Sequence, residues 1–305
     1  MTQKRVLLTG SSGFLGKKIL DKLLSLNHIV IVLKSINSHN SKVSNDLFQI
    51  IEYDFNEFGI DNIFANYKID FIIHTATCYG RNDEEDSFVL KCNLSLPQYL
   101  LQKAIKHNVD SFFYTSTLQN ELLNPYTISK NQLKQWGQYY SINNKINFIN
   151  IKIEHLYGPG DDKNKFVYWL LHGLISNTPS MNFTNGIQKR DFIYITDAVD
   201  AIELILKEKN IGYCEFEIGT GKAITLKKFI KLSQKLVSKI MNTKIKTVLN
   251  FGAVPVRIGE ASKIQANVES LINLNWKINY SIEFGLEETI IDILKIAGKL
   301  PNNVE

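Results

Sequence analysis

A glycine-rich turn near the amino end constrains the fold of this chain more than any other feature. Residues 9–16 read TGSSGFLG and lie between an apolar run at 5–9 and a segment at 14–26 whose apolar residues recur at helical spacing. In a strand–turn–helix unit, the first glycine allows the tight turn, the second lets a diphosphate approach the backbone, and the third lets the helix pack against the strand. N–H groups at the helix start then bind phosphate. The pattern predicts a dinucleotide-binding turn formed by Gly10, Ser12, Gly13, Phe14, Leu15 and Gly16.

Strand-like and helix-like segments alternate through the first half of the chain. Apolar runs predict strands at 5–9, 28–33, 48–53, 70–74, 111–115 and 147–153. Helical spacing predicts helices at 14–26, 87–108 and 126–142. This alternation predicts βαβ units, and right-handed crossovers then give an α/β fold with a Rossmann-type, doubly wound parallel sheet.

The rhythm changes after residue 157, where a loop of glycine, proline and charged residues reads GPGDDKNK. A helix is predicted near 166–176, a strand near 181–183 and an amphipathic helix at 226–241. We therefore expect a smaller C-terminal α/β lobe, built mainly from the residues that follow.

Composition narrows the class of protein. The 305 residues carry a net charge of +5, with lysines spread along the chain, which disfavours nucleic-acid binding. Cys78, Cys92 and Cys214 are far apart, with no CxxC, which indicates a reducing compartment and no metal site. With no apolar stretch of about 18 residues and no leader-like start, we expect a cytoplasmic protein that does not enter the membrane.

The end of the second predicted strand bears on the choice of cofactor. Dinucleotide-binding folds that prefer NAD carry an acid there, about 20 residues after the turn, which binds the ribose 2′-hydroxyl. Here Lys34 and Ser35 follow Leu33, and no acid occurs before Asp46. A carboxylate would repel a 2′-phosphate, whereas Lys34 can pair with it. The sequence thus favours NADP(H) over NAD(H), unless Lys34 is an ordinary solvated lysine.

A tyrosine and a lysine stand four residues apart in the segment YTISK at 126–130. On a helix, Tyr126 and Lys130 share one face. A free phenol has a pKa of about 10, and a nearby ammonium stabilises its anion, which makes it a better proton donor at neutral pH. The hydroxyl cluster at 115–117 precedes the pair. The pattern is common in helices by itself, and its position after the fifth strand gives it weight as a catalytic pair.

Motifs along nearly the whole chain resemble those of the extended short-chain dehydrogenases/reductases, which include nucleotide-sugar epimerases, dehydratases and reductases. The motifs are TGSSGFLG at 9–16, HTA at 74–76, KCNLSLP at 91–97, YTST at 114–117, YTISK at 126–130, LYGPG at 156–160, RDFIYITD at 190–197 and FEIGTG at 216–221. Longer stretches, such as HTATCYGR at 74–81 and NFGAVPVRIGE at 250–260, resemble CDP-abequose and CDP-paratose synthases. The reductases of dTDP-4-keto-6-deoxyglucose are similar as well.

The resemblance implies roles for individual residues. Tyr126 would exchange a proton with the C4 oxygen of the sugar, and Lys130 would hold the nicotinamide ribose. Thr117 or the neighbouring Ser116 would bind the same oxygen. The spacing LQNELLNP before the tyrosine is shorter than in the family and leaves these two open. Besides the turn, Lys34, Ser35, Tyr126 and Lys130, the implied cofactor contacts are Asp54, Phe55, Thr75, Ala76, Thr77, Asn93, Thr115, Ile153 and His155.

The implied substrate contacts are Thr77, Tyr79, Arg81, Thr117, His155, Lys165, Phe166, Arg190 and Arg257. His155 stands where many relatives have asparagine, and a buried structural histidine is the alternative. The chain keeps only four arginines, at 5, 81, 190 and 257, which points to places that need a planar, bidentate phosphate ligand. Arg257 would clamp the diphosphate, Arg190 lies in a sugar-nucleotide motif and Arg81 near the sugar pocket, with ordinary surface arginines as the alternative.

These roles imply an enzyme of two parts. Residues 1–157, with 190–212 returning to them, would form the NADP(H)-binding domain, and 158–305 would form mainly the nucleotide-sugar lobe. The expected reaction is NADPH-dependent reduction of the C4 keto group of a CDP- or dTDP-linked 4-keto-6-deoxy- or 3,6-dideoxyhexose. This chemistry belongs to deoxysugar biosynthesis for a bacterial surface glycan such as the O-antigen of lipopolysaccharide. Relatives imply a homodimer formed through the helices at 87–108 and 126–142.

Three other functions compete with this expectation. A 4-epimerase on the same scaffold would hold NAD tightly and show no net redox change. A non-catalytic nucleotide sensor would have no need of Tyr126 and Lys130. A 4,6-dehydratase needs an acid and a base to eliminate water, and related dehydratases carry them after the catalytic threonine, where the resemblance places Leu118 and Gln119.

Overall fold

The computed structural model describes residues 3–33, 48–50, 56–209 and 211–300. The chain divides into two compact units, Met1–Lys152 with Glu203–Phe216, and Ile153–Ile202 with Glu217–Glu305. The sequence predicted that the first domain ends at residue 157 and that residues 190–212 return to it. The returning segment lies later in the chain because residues 189–194 form strands that pair within the second unit.

The strands predicted in the first half of the chain are present, with ends that differ by at most two residues where the structure describes them, while residues 51–53 of the third lie outside the described residues. In chain order, the strands of the described residues are β1 (Arg5–Thr9), β2 (Ile29–Leu33), β3 (Phe48–Ile50), β4 (Phe71–His74), β5 (Ser111–Thr117), β6 (Asn147–Ile153), β7 (His155–Tyr157), β8 (Ser180–Phe183), β9 (Lys189–Arg190), β10 (Phe192–Tyr194), β11 (Tyr213–Ile218), β12 (Ile224–Thr225) and β13 (Val248–Phe251). Within this part of the chain, one seven-stranded sheet has the order β11-β6-β5-β4-β1-β2-β3. The pairs of β1 with β2 and β4, of β4 with β5 and of β2 with β3 are parallel. This order confirms the Rossmann-type parallel sheet.

Helices connect and flank these strands. They are α1 (Phe14–Ser25), α2 (Glu57–Asn66), α3 (Asp86–Leu90), α4 (Leu96–Lys106), α5 (Pro125–Ile142), α6 (Phe166–Ile175), α7 (Ile195–Ile205), α8 (Leu226–Ile240), α9 (Glu269–Asn273) and α10 (Ile282–Ile296). None of these described helices is long and apolar enough to cross a membrane.

The core of the first unit explains why its strands read as continuous apolar runs. Val6, Leu7 and Leu8 of β1 are fully buried, as are Ile72 and Ile73 of β4. A parallel sheet with helices on its faces buries both sides of each central strand, so successive residues are apolar rather than alternating. Each apolar run stops at the carboxyl end of its strand, and the polar side chains of the candidate site follow there.

The single helix predicted at 87–108 is interrupted in the structure. A π-helical turn at Lys91–Ser95 separates α3 from α4. Pro97 lies in the first turn of α4, where a proline ring is tolerated, whereas deeper in a continuous helix it would displace the carbonyl four residues earlier. That carbonyl belongs to Asn93, which lies in the π-helical turn. Single π-turns occur frequently at functional sites.

The second unit is built from short strand pairs and three packed helices, α6, α8 and α10. β7 pairs with β10 and β8 with β13 in parallel, while β9 and β12 are antiparallel. The buried carboxylate of Asp197 accepts hydrogen bonds from the N–H groups of Asn279 and Tyr280, and the Trp276 ring donates to the Asp197 carbonyl at 3.1 Å. These bonds fasten the segment before α10 to α7.

Candidate active site

The glycine-rich turn between β1 and α1 is shaped by both packing and ligand access. Gly10 has a φ of +74°, and a Cβ there would lie 2.5 Å from the Ala76 nitrogen. A Cβ at Gly16 would lie 2.1 Å from the Gly10 carbonyl oxygen. Both positions therefore require glycine.

Gly13 differs from the other two glycines of the turn. It caps α1 with a φ of −77°, and a Cβ there would meet only the Gly10 oxygen, at 3.3 Å, among the described atoms. No side chain caps α1 in the described chain, and its first turn carries no acid. The missing side chain thus leaves room for an anion at the helix N-terminus, so the turn fits the diphosphate of a dinucleotide.

Hydroxyl and imidazole groups link the carboxyl ends of β1, β4 and β5. Thr75 Oγ1 donates to the Thr9 carbonyl at 2.7 Å, and the Thr9 hydroxyl is bonded to His74 Nδ1 at 2.8 Å. Thr115 Oγ1 donates to the His74 carbonyl at 3.1 Å. Burial, followed by the charge of Lys130, lowers the pKa of His74 well below its usual range, so the ring is neutral. The structure therefore places Thr75 and Thr115 at the edge where ligands bind in such sheets.

Tyr126 and Lys130 lie in the first two turns of α5. An Asn124–Thr127 capping box fixes the start of this helix. Lys130 is 2% exposed, and its Nζ donates to the Thr115 carbonyl at 3.0 Å and lies 6.0 Å from the centre of the Tyr126 ring. Burial lowers the pKa of Lys130 to about 7. The helix thus brings a proton donor and a readily deprotonated cation to the end of β5.

The Tyr126 phenol is held in its protonated form. Burial raises its pKa above the usual range, and the neighbouring Tyr79 adds to the rise. The charge of Arg81 and a hydrogen bond with Thr117 act in the opposite direction. At neutral pH the phenol is therefore protonated, but its raised pKa is opposite in direction to the lowering that a neighbouring ammonium was expected to cause.

The choice between Thr117 and Ser116 follows from where each hydroxyl points. Thr117 is hydrogen-bonded to Tyr126, whereas Ser116 Oγ donates to Asn150 Oδ1 of β6 at 2.6 Å. Successive side chains of a strand point to opposite faces, so only one of the two can face α5. The structure brings Thr117 to the phenol and directs Ser116 toward Asn150, which favours Thr117 over Ser116 as the candidate catalytic hydroxyl.

The loop after β4 carries two of the predicted substrate contacts. The Tyr79 ring lies 5.0 Å from that of Tyr126, measured between ring centres, and the Arg81 guanidinium lies 4.7 Å from the centre of the Tyr79 ring. Thr77, at the start of the loop, donates to Asn93 Oδ1 at 3.3 Å. Tyr79 thus lies beside the candidate catalytic residue with its ring tilted by 41°, and Arg81 covers the Tyr79 ring.

Asn93, a predicted cofactor contact, lies in the π-helical turn, and its side-chain amide is hydrogen-bonded to the loop after β4. It is fully buried, and its amide accepts from the Cys78 N–H at 2.8 Å and donates to the Cys78 carbonyl at 2.7 Å. It also lies 3.2 Å from Ser129 Oγ of α5. Through these bonds the Asn93 side chain links the loop after β4 to α5, and its role as a cofactor contact stays a prediction. Only the π-helical turn, which the sequence pattern did not predict, places it there.

In the second unit, His155 is oriented by a neighbour that sequence reasoning missed. Its Nδ1 lies 2.9 Å from Oε2 of Glu154, whose side chain is 2% exposed, while that of His155 is 28% exposed. The His155 ring packs edge-on against Phe192 at 5.3 Å. Ile153, which ends β6, precedes this pair. The sequence feature that could have indicated this pairing is the glutamate directly before the histidine in IEHLYGPG.

Two further predicted substrate contacts flank the start of α6. Lys165 Nζ pairs with the buried carboxylate of Asp161 at 2.9 Å. The Phe166 ring packs against Trp169 and Phe229 at 6.2 and 6.4 Å. Lys165 and Phe166 thus both contact other residues of the second unit.

Arg190 is held differently from the open phosphate ligand that was predicted. Its side chain is 5% exposed and pairs with Glu260, while a second nitrogen donates to the Lys189 carbonyl at 2.8 Å. The Glu260 N–H bonds to the Arg257 carbonyl at 3.1 Å in an exposed turn. Arg190 thus anchors the turn, and Arg257 is the arginine that this turn presents to solvent.

Four predicted cofactor contacts, Lys34, Ser35, Asp54 and Phe55, lie outside the described residues, so the interpretation of the second strand end stays a prediction. Among the residues that are described, no group of three or more histidines, cysteines or acids could hold a metal ion.

Comparison with known proteins covers both units. The model of the NAD dependent epimerase/dehydratase family matches residues 6–219. The CDP-abequose synthase of Salmonella typhimurium is 31% identical over 294 residues, which cover 93% of this chain and 97% of that protein.

Solved structures share the fold. The UDP-glucose 4-epimerase of Thermotoga maritima, solved with UDP-glucose, has a TM-score of 0.82 and 23% identity, covering 96% of this chain and 99% of that one. The UDP-glucuronic acid 4-epimerase of Bacillus cereus, solved with UDP-glucuronic acid and NAD, also has a TM-score of 0.82, with 22% identity and the same coverage.

Proposed function

We propose that this chain, which belongs to the NAD-dependent epimerase/dehydratase family, reduces the C4 keto group of a nucleotide-linked 4-keto-6-deoxy- or 3,6-dideoxyhexose with NADPH. Family membership confirms the resemblance drawn from the motifs. The observation that carries the proposal is the protonated Tyr126, hydrogen-bonded to Thr117 and followed one turn later by the buried Lys130. One proton donor and one polarising hydroxyl are what the reduction of a ketone requires.

Each residue of this set has a separate task. When bound, the reduced nicotinamide supplies the hydride that adds to C4. Thr117 donates a hydrogen bond to the ketone oxygen, and Tyr126 gives its proton to the same oxygen. Lys130 uses one of its three donors on the Thr115 carbonyl, which leaves donors for the ribose hydroxyls and for the phenolate that forms. Solvent then returns the proton to Tyr126.

The finer assignments of cofactor and substrate rest on different observations. Lys34 supports NADPH, and the glycine turn supports a dinucleotide of either kind. The similarity to a CDP-abequose synthase supports a CDP- or dTDP-linked deoxysugar destined for a bacterial surface glycan, made in the cytoplasm. Arg257 is assigned to the diphosphate, and His155, Lys165 and Phe166 to the sugar nucleotide.

A homodimer is part of the proposal. Large apolar side chains stand exposed on two neighbouring helices of the first unit, with 51% of Phe88, 43% of Trp136 and 58% of Tyr139 accessible. Apolar side chains clustered on one surface are typical of a protein interface. A second copy of this chain would cover them.

A 4-epimerase that retains NAD is the second candidate. Removing a hydride from C4 and returning it to the other face uses the same tyrosine, threonine and lysine. The family model includes epimerases, and this observation favours the alternative.

The two candidates differ in cofactor balance. We expect purified protein, given CDP-, dTDP-, UDP- and GDP-linked 4-keto sugars, to consume one NADPH per sugar with one of the nucleotides. Parallel assays with NADH test the cofactor. Protein that carries tightly bound NAD, interconverts 4-hydroxy sugars without added cofactor and leaves NADPH absorbance flat would instead be an epimerase.

Tyr126→Phe tests the proton donor. We expect kcat to fall by about 100- to 10,000-fold because general acid catalysis is lost, with NADPH affinity retained. Tyr99→Phe is the matched control, since it also removes one hydroxyl, which is bonded to Asp61 at 2.9 Å. A Tyr126→Phe variant that turns over within a few-fold of the wild type would remove Tyr126 from this role.

A further inference from the structure

Tyr79 lies beside Tyr126 and Arg81 lies over the Tyr79 ring, and the proposed reaction does not yet use this arrangement. The guanidinium lies 4.7 Å from the centre of the Tyr79 ring, and that ring lies 5.0 Å from Tyr126. A cation over an aromatic face is attracted by the ring quadrupole. Tyr79 is 37% exposed, so the stack runs from solvent to the phenol.

The loop that carries this stack is fastened to the helix that carries Tyr126. Asn93 holds both backbone groups of Cys78, the residue before Tyr79, and reaches Ser129 Oγ at 3.2 Å. Ser129 Oγ in turn donates to the Tyr126 carbonyl at 2.9 Å. Through these buried bonds the loop and the start of α5 keep a fixed separation, so the stack is a built arrangement rather than a chance surface contact.

The charges that face the phenol are not equivalent. Burial lowers the pKa of Lys130 to about 7, so near neutral pH this ammonium is only partly charged. A guanidinium keeps its proton at every pH at which proteins are folded. Arg81 is therefore the permanent cation of the group. The titratable and polar side chains that face Tyr126 from the loop, β5 and α5 are Tyr79, Arg81, Tyr114, Thr117 and Lys130.

We propose that Arg81, stacked on Tyr79, is a positioning residue that stabilises the Tyr126 phenolate left when the sugar ketone is reduced. The inference rests on the proposed function. As the hydride adds to C4, the C=O π pair takes the Tyr126 proton, the O–H bond of the phenol breaks, and its electron pair stays on the phenolate oxygen. The Arg81 charge offsets that negative charge across the Tyr79 ring, in addition to the charge of Lys130.

The direct test titrates residue 126 without any substrate. The full-length protein is made with 2,3,5-trifluorotyrosine at position 126, an analogue whose phenol is more acidic than tyrosine, and its ¹⁹F shift is followed against pH. We expect Arg81→Gln to raise the pKa of this phenol by about 0.5 to 1. The effect is modest because water and salt partly screen the charge of the exposed Arg81. Arg81→Lys, which keeps a charge but not the planar stack, should restore part of the difference.

A matched control removes a stacked cation elsewhere in the same unit. Lys103 lies 5.0 Å from the centre of the Tyr99 ring, and Lys103→Gln should leave the titration of residue 126 unchanged. Should Arg81→Gln fold poorly, added salt provides the same test in the otherwise wild-type protein. Screening of the exposed Arg81 should raise the pKa of the phenol as NaCl is added. An Arg81→Gln titration identical to the parent, or no salt effect, overturns the proposal.

Kinetics separate this role from simple substrate binding. If Arg81 acts on Tyr126, Arg81→Gln lowers kcat several-fold and raises the pKa of the fluorinated residue 126. If Arg81 only binds the sugar nucleotide, KM rises while the ¹⁹F titration stays fixed, and the proposal is wrong. Absence of any reductase activity in the wild type would instead refute the proposed function, with the ¹⁹F titration still deciding the effect of Arg81 on the phenol.

Discussion

Burial sets the chemistry of the two central residues in opposite directions. It raises the pKa of the Tyr126 phenol and lowers that of the Lys130 ammonium to about 7, because each loses the water that would stabilise its charged form. Both groups are thereby biased toward their neutral forms in the free enzyme. A bound cofactor and the forming phenolate would each stabilise the charged form of Lys130.

The lowered pKa of Lys130 therefore predicts that cofactor binding and activity depend on pH. Its ammonium predominates below pH about 7 and is lost above it, so we expect NADPH affinity and kcat/KM to fall as pH rises through this value. Fluorescence titration of NADPH between pH 6 and 9 measures the effect. Lys134→Met, one turn later and paired with Glu121 at 2.7 Å, should keep the wild-type profile. A Lys130→Met variant that also keeps this pH dependence would assign it to another group.

At the scale of elements, the π-helical turn between α3 and α4 positions the site indirectly. It places Asn93 in the interior, where the amide satisfies the backbone of Cys78 and reaches α5. A buried amide of this kind is stabilising only while all its partners are present, since each unpaired group carries a desolvation cost. Asn93 thus contributes to holding the loop with Tyr79 and Arg81.

Asn93→Leu should uncouple this loop. The half-buried Cys78 N–H and carbonyl would lose their partners, and we expect the free energy of unfolding to fall by about 1–3 kcal/mol, with a lower kcat. Urea denaturation measures the loss. Asn66→Leu is the control, because its exposed amide donates only to the Asn62 carbonyl among the described contacts, and a change within about 0.5 kcal/mol is expected. Equal effects of the two substitutions would show that Asn93 has no special role.

For the whole molecule, the two units carry different parts of the proposed reaction. The first holds the glycine turn and the Thr117–Tyr126–Lys130 set, and the second holds Arg257 on a turn that the Arg190–Glu260 ion pair fastens. Arg190 and Glu260 are 70 residues apart in sequence, so only the folded second unit creates this anchor.

Arg257→Lys tests the division of tasks between the units. The charge remains, but the bidentate contact with a diphosphate is lost, so KM for the sugar nucleotide should rise roughly tenfold while KM for NADPH hardly changes. Steady-state kinetics with each ligand varied measure both values. Arg5→Lys at the start of β1 serves as the control, as no ligand role is assigned to it. A similar rise for both ligands would place Arg257 outside the substrate site.

The sequence by itself determined the sheet, the glycine turn and the identity of Tyr126 and Lys130, because these depend on local periodicity and on spacing within one strand–turn–helix unit. It did not determine whether Thr117 or Ser116 contacts the phenol. Nor did it show that the buried Asn93 amide bonds to the Cys78 backbone, or that Arg190 pairs with Glu260. Those outcomes depend on which face of a strand meets a helix, on a π-turn without a signature of its own, and on pairs of residues distant in the chain. Tertiary structure decided them because hydrogen-bond partners and burial exist only once separate elements have packed together.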